Sequence, residues 1–111
     1  MKPSGRWPIV EFNGVISATT NETVLCPAKP GCFYVIGQLD FSVSGALLPV
    51  ASYIGLTSNG ASIFRHNGDA SFHVFIQLPG LMSPIGGDIT LDINITSTEV
   101  ITYNGWAEVR G

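Results

Sequence analysis

The sequence predicts an all-β protein on three observations. Apolar and polar residues alternate with a period of two along several segments, and turn dipeptides such as Asn59-Gly60 and Pro79-Gly80 separate those segments. No segment shows the 3.6-residue repeat of an amphipathic helix. Short strands at regular spacing with turns between them are typical of a sandwich or barrel, and the jelly roll is a common eight-strand form. We therefore expect a jelly-roll-like antiparallel β-sandwich with an extended N-terminal arm.

The chain divides into an arm, residues 1–14, and a sandwich domain, residues 15–111. Pro3, Pro8 and sparse alternation make the first segment unsuited to a central strand, although a short strand at 9–12 is possible. Two short strand candidates follow, at 15–19 and 23–26.

The segment 33–44 predicts a long strand whose inward residues are the odd-numbered ones, from Phe33 to Val43. Its even-numbered face changes from apolar at Tyr34 and Ile36 to polar further on, which indicates a second face buried only at its start. Four further segments predict strands: 50–56, 71–78, 88–96 and 100–109. The expected separators are the dipeptides Asn13-Gly14, Pro30-Gly31, Asn59-Gly60, Asn67-Gly68, Pro79-Gly80, Gly86-Gly87 and Asn104-Gly105.

The composition of the 111 residues is poor in charge. Charged residues make up 12% of the chain and hydrophobic residues 45%, with a mean hydropathy of +0.33 and a net charge of −3. This composition excludes a disordered chain, and five scattered basic residues disfavour a nucleic-acid binder. So little charge indicates that part of the surface is covered by a partner.

The N-terminal residues lack the apolar core of a signal peptide, and no segment approaches the length of a membrane span. We therefore expect a chain that starts at Met1 and is made in a reducing cytoplasm. Cys26 and Cys32 flank a turn-like segment. Reduced thiols are favoured there, while a disulfide across a hairpin stays open.

Candidate catalytic residues are few. His73 falls on the polar face of its strand, His66 falls in a predicted turn at 65–68, and no serine nucleophile motif is present. We expect neither an enzyme nor a cofactor site.

Two metal sites are conceivable but poorly supported. Cys26, Cys32, His66 and His73 have loose spacing for zinc, and Asp88, Asp92 and Asp40 offer too few oxygens for calcium. We expect no metal site.

Aromatic residues outside the alternating runs are the candidate contacts. Their positions, in the arm or at predicted strand ends, favour a protein interface, with core packing or stacking on sugar rings as alternatives. With the arginine of the arm, the candidate interface residues are Arg6, Trp7, Phe12, Tyr53, Tyr103 and Trp106.

From about Thr19 onward, six strand and turn segments follow one another in a recognisable order. They are T-T-N-E-T-V-L, P-A-K-P-G, C-F-Y-V-I-G-Q-L-D-F-S-V-S-G-A, Q-L-P-G-L-M-S-P-I-G-G, D-I-T-L-D-I-N-I-T and V-I-T-Y-N-G-W-A-E-V-R-G. In this pattern of strands and turns the chain resembles short β-sandwich virion proteins of tailed bacteriophages, and no catalytic signature accompanies the resemblance.

The resemblance implies a capsid decoration (cement) protein on the capsid exterior of the virion. Such a protein would bind the major capsid protein as a homotrimer and stabilise the head by bridging capsid subunits, without nucleic acid or membrane as a partner. A structural module of a tail fibre or neck, and a carbohydrate-binding β-sandwich, are the alternatives.

Overall fold

The computed structural model describes residues 7–16, 20–44, 48–69, 75–94 and 100–111. These residues contain eight β-strands and no helix, so no helix among them could cross a membrane. The strands are β1 (Ile9–Ile16), β2 (Thr20–Cys26), β3 (Phe33–Ser44), β4 (Leu48–Ser58), β5 (Ala61–Asp69), β6 (Phe75–Gln77), β7 (Ile89–Asn94) and β8 (Val100–Arg110).

The strands form two antiparallel four-stranded sheets, as the period-two alternation predicted. Sheet I has the order β1-β8-β3-β6, and sheet II has the order β2-β7-β4-β5. Both sheets contribute side chains to one apolar core, which is typical of a β-sandwich. Its largest fully buried side chains are Phe41, Ile36, Leu39, Ile54, Leu56, Ile89, Leu91, Ile93 and Ile101.

The second half of the predicted N-terminal arm is a strand of sheet I. Residues 9–16 pair with 101–108 of β8, and the dipeptide Asn13-Gly14 lies inside β1 and forms no turn. The amide of Val109 also donates to the carbonyl of Pro8, with an N···O distance of 2.8 Å. Alternation places Phe12 and Ile16 in the core, so burial of these side chains stabilises this pairing. Residues 1–6 lie outside the described residues.

A β-bulge in β3 corrects the predicted inward face of that strand. The pairing with β8 shifts between Ile36 and Gln38, so Gly37 is the extra residue. Before the bulge the inward residues are Tyr34 and Ile36, which have even numbers, and after it they are Leu39 and Phe41. A single inserted residue exchanges the two faces because side chains alternate along a strand.

The strand β5 was not predicted, because its sequence Arg65-His66-Asn67-Gly68 has turn-like composition. His66 pairs with Ile54 of β4 and is therefore not in a turn. The preceding turn at Asn59 and Gly60 is confirmed, with φ angles of 53° and 81°. Positive φ at both residues is the requirement of a tight hairpin turn, which asparagine and glycine meet best.

Asp88 holds this hairpin turn from the neighbouring loop. Its carboxylate accepts a hydrogen bond from the backbone N–H of Asn59, with an N···O distance of 2.6 Å. It accepts a second from the side-chain hydroxyl of Thr90, with an O···O distance of 2.5 Å. Partial burial opposes ionisation of Asp88, but these hydrogen bonds outweigh it and lower the pKa of the carboxyl. Asp88 thus has a structural role at this end of sheet II.

Three further predicted strands are confirmed. β4, β7 and β8 match the expected segments to within a few residues, and the inward side chains of β7 are fully buried. Asn67-Gly68 lies inside β5 and Asn104-Gly105 lies inside β8, so both of these predicted turns were wrong. Of the predicted strand 71–78 the structure has β6 at Phe75–Gln77, and His73 lies outside the described residues.

Candidate binding face of sheet I

The outer face of sheet I brings polar side chains and one indole together on three adjacent strands. On β1, β8 and β3 the inward positions fill the core, so the intervening positions point away from it. These outward residues form two adjacent rows of three across the sheet, with Glu11, Trp106 and Gln38 in one and Asn13, Asn104 and Asp40 in the other.

The indole of Trp106 is seated on the bulge of β3. A Cβ atom at Gly37 would overlap the six-membered ring of Trp106, so the glycine provides the space that the ring occupies. The neighbouring Gly105 meets the same bulge from β8, where the backbone of Gln38 approaches too closely for any side chain. The two glycines and the bulge therefore fix the position of the partly buried indole.

A groove of about 420 Å³ opens beside this indole. The Gln38 amide nitrogen donates to the Asp40 carboxylate, with an N···O distance of 2.7 Å. The other carboxylate oxygen of Asp40 and the indole nitrogen of Trp106 are both buried, and neither finds a hydrogen-bond partner among the described residues. The lining residues are Glu11, Phe12, Asn13, Gln38, Asn104, Gly105 and Trp106.

Two of the predicted interface residues are members of the core. Phe12 and Tyr103 each expose only 9% of their surface and lie within β1 and β8, whereas Phe12 was expected in the arm and Tyr103 at a strand end. The ring of Tyr103 covers Gly14 on the neighbouring strand. Core packing therefore accounts for these two aromatic side chains.

The other predicted interface residues lie apart from one another. Trp7 is half-buried beside Arg110, whose guanidinium carbon lies 5.6 Å from the centroid of the indole. Tyr53 belongs to sheet II, where the guanidinium of Arg65 lies 3.8 Å from its ring centroid. Of the predicted set, only Trp106 and Phe12 line the groove, and Arg6 lies outside the described residues.

The loop between β6 and β7 presents a second exposed feature. The side chains of Met82 and Ile85 are 57% and 72% exposed, while the backbone around them is held against β3. We call residues 78–88 the apolar loop. It contains two prolines, Pro79 and Pro84, and two glycines at positive φ, Gly80 and Gly86.

The candidate metal ligands are not brought together. Cys26 lies on β2 and His66 on β5, which are opposite edges of sheet II, and Asp40 lies on the other sheet from Asp92. Within the described ranges, no three residues among His, Cys, Asp and Glu lie close enough together to hold a metal ion. The residues considered for zinc and calcium are therefore not assembled into one cluster where the structure describes them, and His73 of the zinc set lies outside the described residues.

Both cysteines are free thiols, and their environments differ. Cys26 is fully buried, and burial, followed by the negative charge of Asp88, raises the pKa of its thiol from 9.0 to about 12. Cys32 is only partly buried. Since the thiolate is the reactive form, the two thiols should differ in reactivity.

We expect a thiol reagent such as Ellman's reagent to modify Cys32 and spare Cys26 in the native protein at pH 8. With a pKa of about 12, only about 1 in 10⁴ Cys26 side chains is a thiolate at that pH. Unfolding should release the second thiol, and C32S should show almost no native reaction. Equal native reactivity of both thiols would contradict the assignment.

The raised pKa of Cys26 also predicts that stability falls above pH 9. As the pH rises from 9 towards 12, the thiol of Cys26 ionises in the unfolded chain while it stays protonated in the folded protein. The free energy of unfolding should therefore fall over this range, and C26A should lose this dependence.

Sequence reasoning identified the indole of this face but missed the polar residues around it. Glu11 and Asn13 are spaced two apart on β1, as Asn104 and Trp106 are on β8, so each pair shares a strand face. That spacing was a usable signal, whereas the register that sets the two pairs side by side is a property of the folded sheet. No family model matches the chain, and no curated protein matches it either.

Proposed function

We propose that the chain is a structural, non-catalytic subunit of a bacteriophage virion, a decoration protein that docks on the major capsid protein. The observation that carries the proposal is the apolar loop. It holds two large apolar side chains in solvent on a backbone that is fixed to β3. A fixed loop with exposed apolar side chains is suited to binding a protein surface, because little conformational entropy is lost on docking.

Backbone hydrogen bonds along β3 fix the apolar loop. Gly80 donates to the carbonyl of Ile36 at an N···O distance of 2.7 Å, and Ile36 donates to Leu81 at 2.8 Å. Nearer the start of β3, the amide of Tyr34 donates to the buried hydroxyl of Ser83, with an N···O distance of 2.9 Å. Exposed Met82 therefore lies between two anchored neighbours.

The strand order supports a jelly roll as the finer description of the sandwich. Four antiparallel pairs, β1 with β8, β2 with β7, β3 with β6 and β4 with β5, are those of one long hairpin of eight strands. Rolling such a hairpin places alternate pairs in opposite sheets, which is the order observed. Jelly rolls are frequent among viral capsid domains, and this frequency supports the virion role by analogy of fold.

The low charge of the chain supports an assembled state, which we place as a homotrimer on the capsid exterior. Only 12% of the residues are charged, and shared surface needs fewer charges for solubility than exposed surface does. A trimer seated on the shell would cover surface of each subunit. A partner that binds only the assembled shell stabilises that shell by mass action.

The proposal is tested on the phage particles whose genome encodes the chain. We expect mass spectrometry and electron cryomicroscopy to find many copies on the head, in fixed ratio to the major capsid protein. On shells that lack the protein, added wild-type chain should cosediment and raise the melting temperature, whereas M82D/I85D should bind at least about tenfold more weakly.

V24D is the matched control, because Val24 is 58% exposed on β2 and receives the same change. It should cosediment like the wild type. Absence from the head contradicts the proposal, and so does wild-type binding by M82D/I85D. A few copies at one vertex would replace it with a tail or neck module.

A further inference from the structure

The groove beside Trp106 differs in chemistry from the apolar loop. The polar part of its lining surrounds one aromatic ring: the exposed side chains of Asn13, Asn104 and Glu11, and the partly buried carboxamide of Gln38. Carboxamides both donate and accept hydrogen bonds, and the indole offers an apolar surface at their centre. A ligand that fits this lining carries many hydroxyl groups and at least one apolar face.

Charge narrows the ligand class further. Among the seven residues that line the groove, none is lysine or arginine, while Glu11 carries negative charge. The nearest row on the same face adds the carboxylate of Asp40. Phosphates, sulfates and acidic sugars would meet repulsion here, so the lining favours a neutral ligand.

Two polar atoms of this face lack partners. The indole N–H of Trp106 lacks an acceptor, and one oxygen of Asp40 lacks a donor, among the residues that the structure describes. Both atoms are buried, so the exposed side chains of Glu11, Asn13 and Asn104 are the polar groups that a ligand in the groove meets first.

We propose that this groove is a binding site for neutral saccharides, with the sugar ring stacked on Trp106. The volume of about 420 Å³ falls in the usual range of small-molecule sites, roughly 300–1,000 Å³. The indole supports the apolar C–H face of the ring, and the surrounding carboxamides and carboxylate bind its hydroxyls. Because Trp106 rests on the bulge of β3, the stacking surface is already in place before the ligand arrives. The proposal does not depend on the capsid role, since neither Met82 nor Ile85 lines the groove.

The experiment titrates the purified chain with maltose, cellobiose, lactose and, as the acidic counterpart, sialyllactose. The W7F variant leaves Trp106 as the sole tryptophan, so its fluorescence reports on the groove. We expect saturable change with at least one neutral disaccharide, with Kd in the range of about 0.1–5 mM, and weaker binding of sialyllactose. No saturable change with any neutral disaccharide up to 50 mM overturns the proposal, as does preference for sialyllactose.

Variants separate binding at the groove from an effect on folding. By nuclear magnetic resonance titration, W106A should lose detectable binding, and N13A and E11Q should each weaken it about three- to tenfold. Glu11 and Asn13 are exposed on β1, so these two changes should leave the fold intact even where W106A does not. S62A, an exposed hydroxyl on sheet II, is the control and should bind like the wild type. Unchanged affinity in both N13A and E11Q overturns the proposal. No capsid is present in these titrations, so failure of the saccharide proposal leaves the decoration proposal unaffected. Failure of the decoration proposal likewise leaves the saccharide proposal unaffected.

Discussion

The substitution G105A is expected to destabilise the protein by about 3 kcal/mol and to lower its melting temperature by more than about 10 °C. A Cβ atom at this position would overlap the carbonyl oxygen of Gln38 and lie 2.8 Å from the Cα atom of Leu39. Both atoms belong to the backbone of β3, so no side-chain rotation relieves the contact. The two central strands of sheet I must separate to accept one methyl group.

The sign of this effect is informative. Alanine in place of glycine at an ordinary strand position stabilises a protein slightly, because glycine loses more conformational entropy on folding. N104A is the control, since it places alanine at the adjacent exposed position of β8 and should change stability by less than about 0.5 kcal/mol. Thermal and urea unfolding followed by circular dichroism measure both. A G105A protein as stable as the wild type would contradict the close approach of the strands at the bulge.

The bulge also marks the limit of what the sequence predicted about the fold. Alternation located most strands, because burial of one face imposes a period of two on the residues themselves. It failed before Gly37, where an inserted residue exchanges the faces of β3 without changing the local composition. It failed again at His66, whose polar neighbours have turn propensities that pairing with β4 overrides.

Asparagine-glycine dipeptides illustrate the same limit. The pair at 59–60 forms the hairpin turn with positive φ at both residues, while the pair at 104–105 lies inside a central strand. Local sequence cannot distinguish these cases, since Gly105 is required by the approach of a strand more than sixty residues away along the chain. Turn propensity is a property of the dipeptide, whereas close approach is a property of the sheet.

The candidate binding face shows a similar division. Trp106 was identified from the sequence as a candidate interface residue outside the alternating runs. The polar side chains around its indole come from three strands that are distant in the chain. Their alignment depends on the register of β1 and β3 on β8. Register is set by cooperative packing of the core, so only the folded sheet places Glu11 and Gln38 on either side of the indole.

Stability of the whole sandwich should depend most on side chains such as Phe41, which is 1% exposed on β3. F41A is expected to cost about 3–5 kcal/mol, because it removes a buried aromatic ring and leaves a cavity that strands on both sides hold open. F41L should cost less, about 1–1.5 kcal/mol, because a leucine refills most of the space.

A comparison of F41A and F41L with V24A distinguishes loss of core packing from a general sensitivity of the strands to substitution. V24A removes apolar volume from a side chain that is 58% exposed and should change stability by less than about 0.5 kcal/mol. Urea unfolding gives all three free energies on one scale, with the slope against urea concentration serving as a check that the unfolded state is unchanged. A cost of F41A no greater than that of V24A would contradict the core placement of Phe41. Domains of this size are stable by only about 5–15 kcal/mol, so a cost of this size removes a large part of the stability and leaves F41A close to unfolding if the wild type lies at the low end of that range. Binding of F41A to shells or saccharides would then report on folding rather than on either surface.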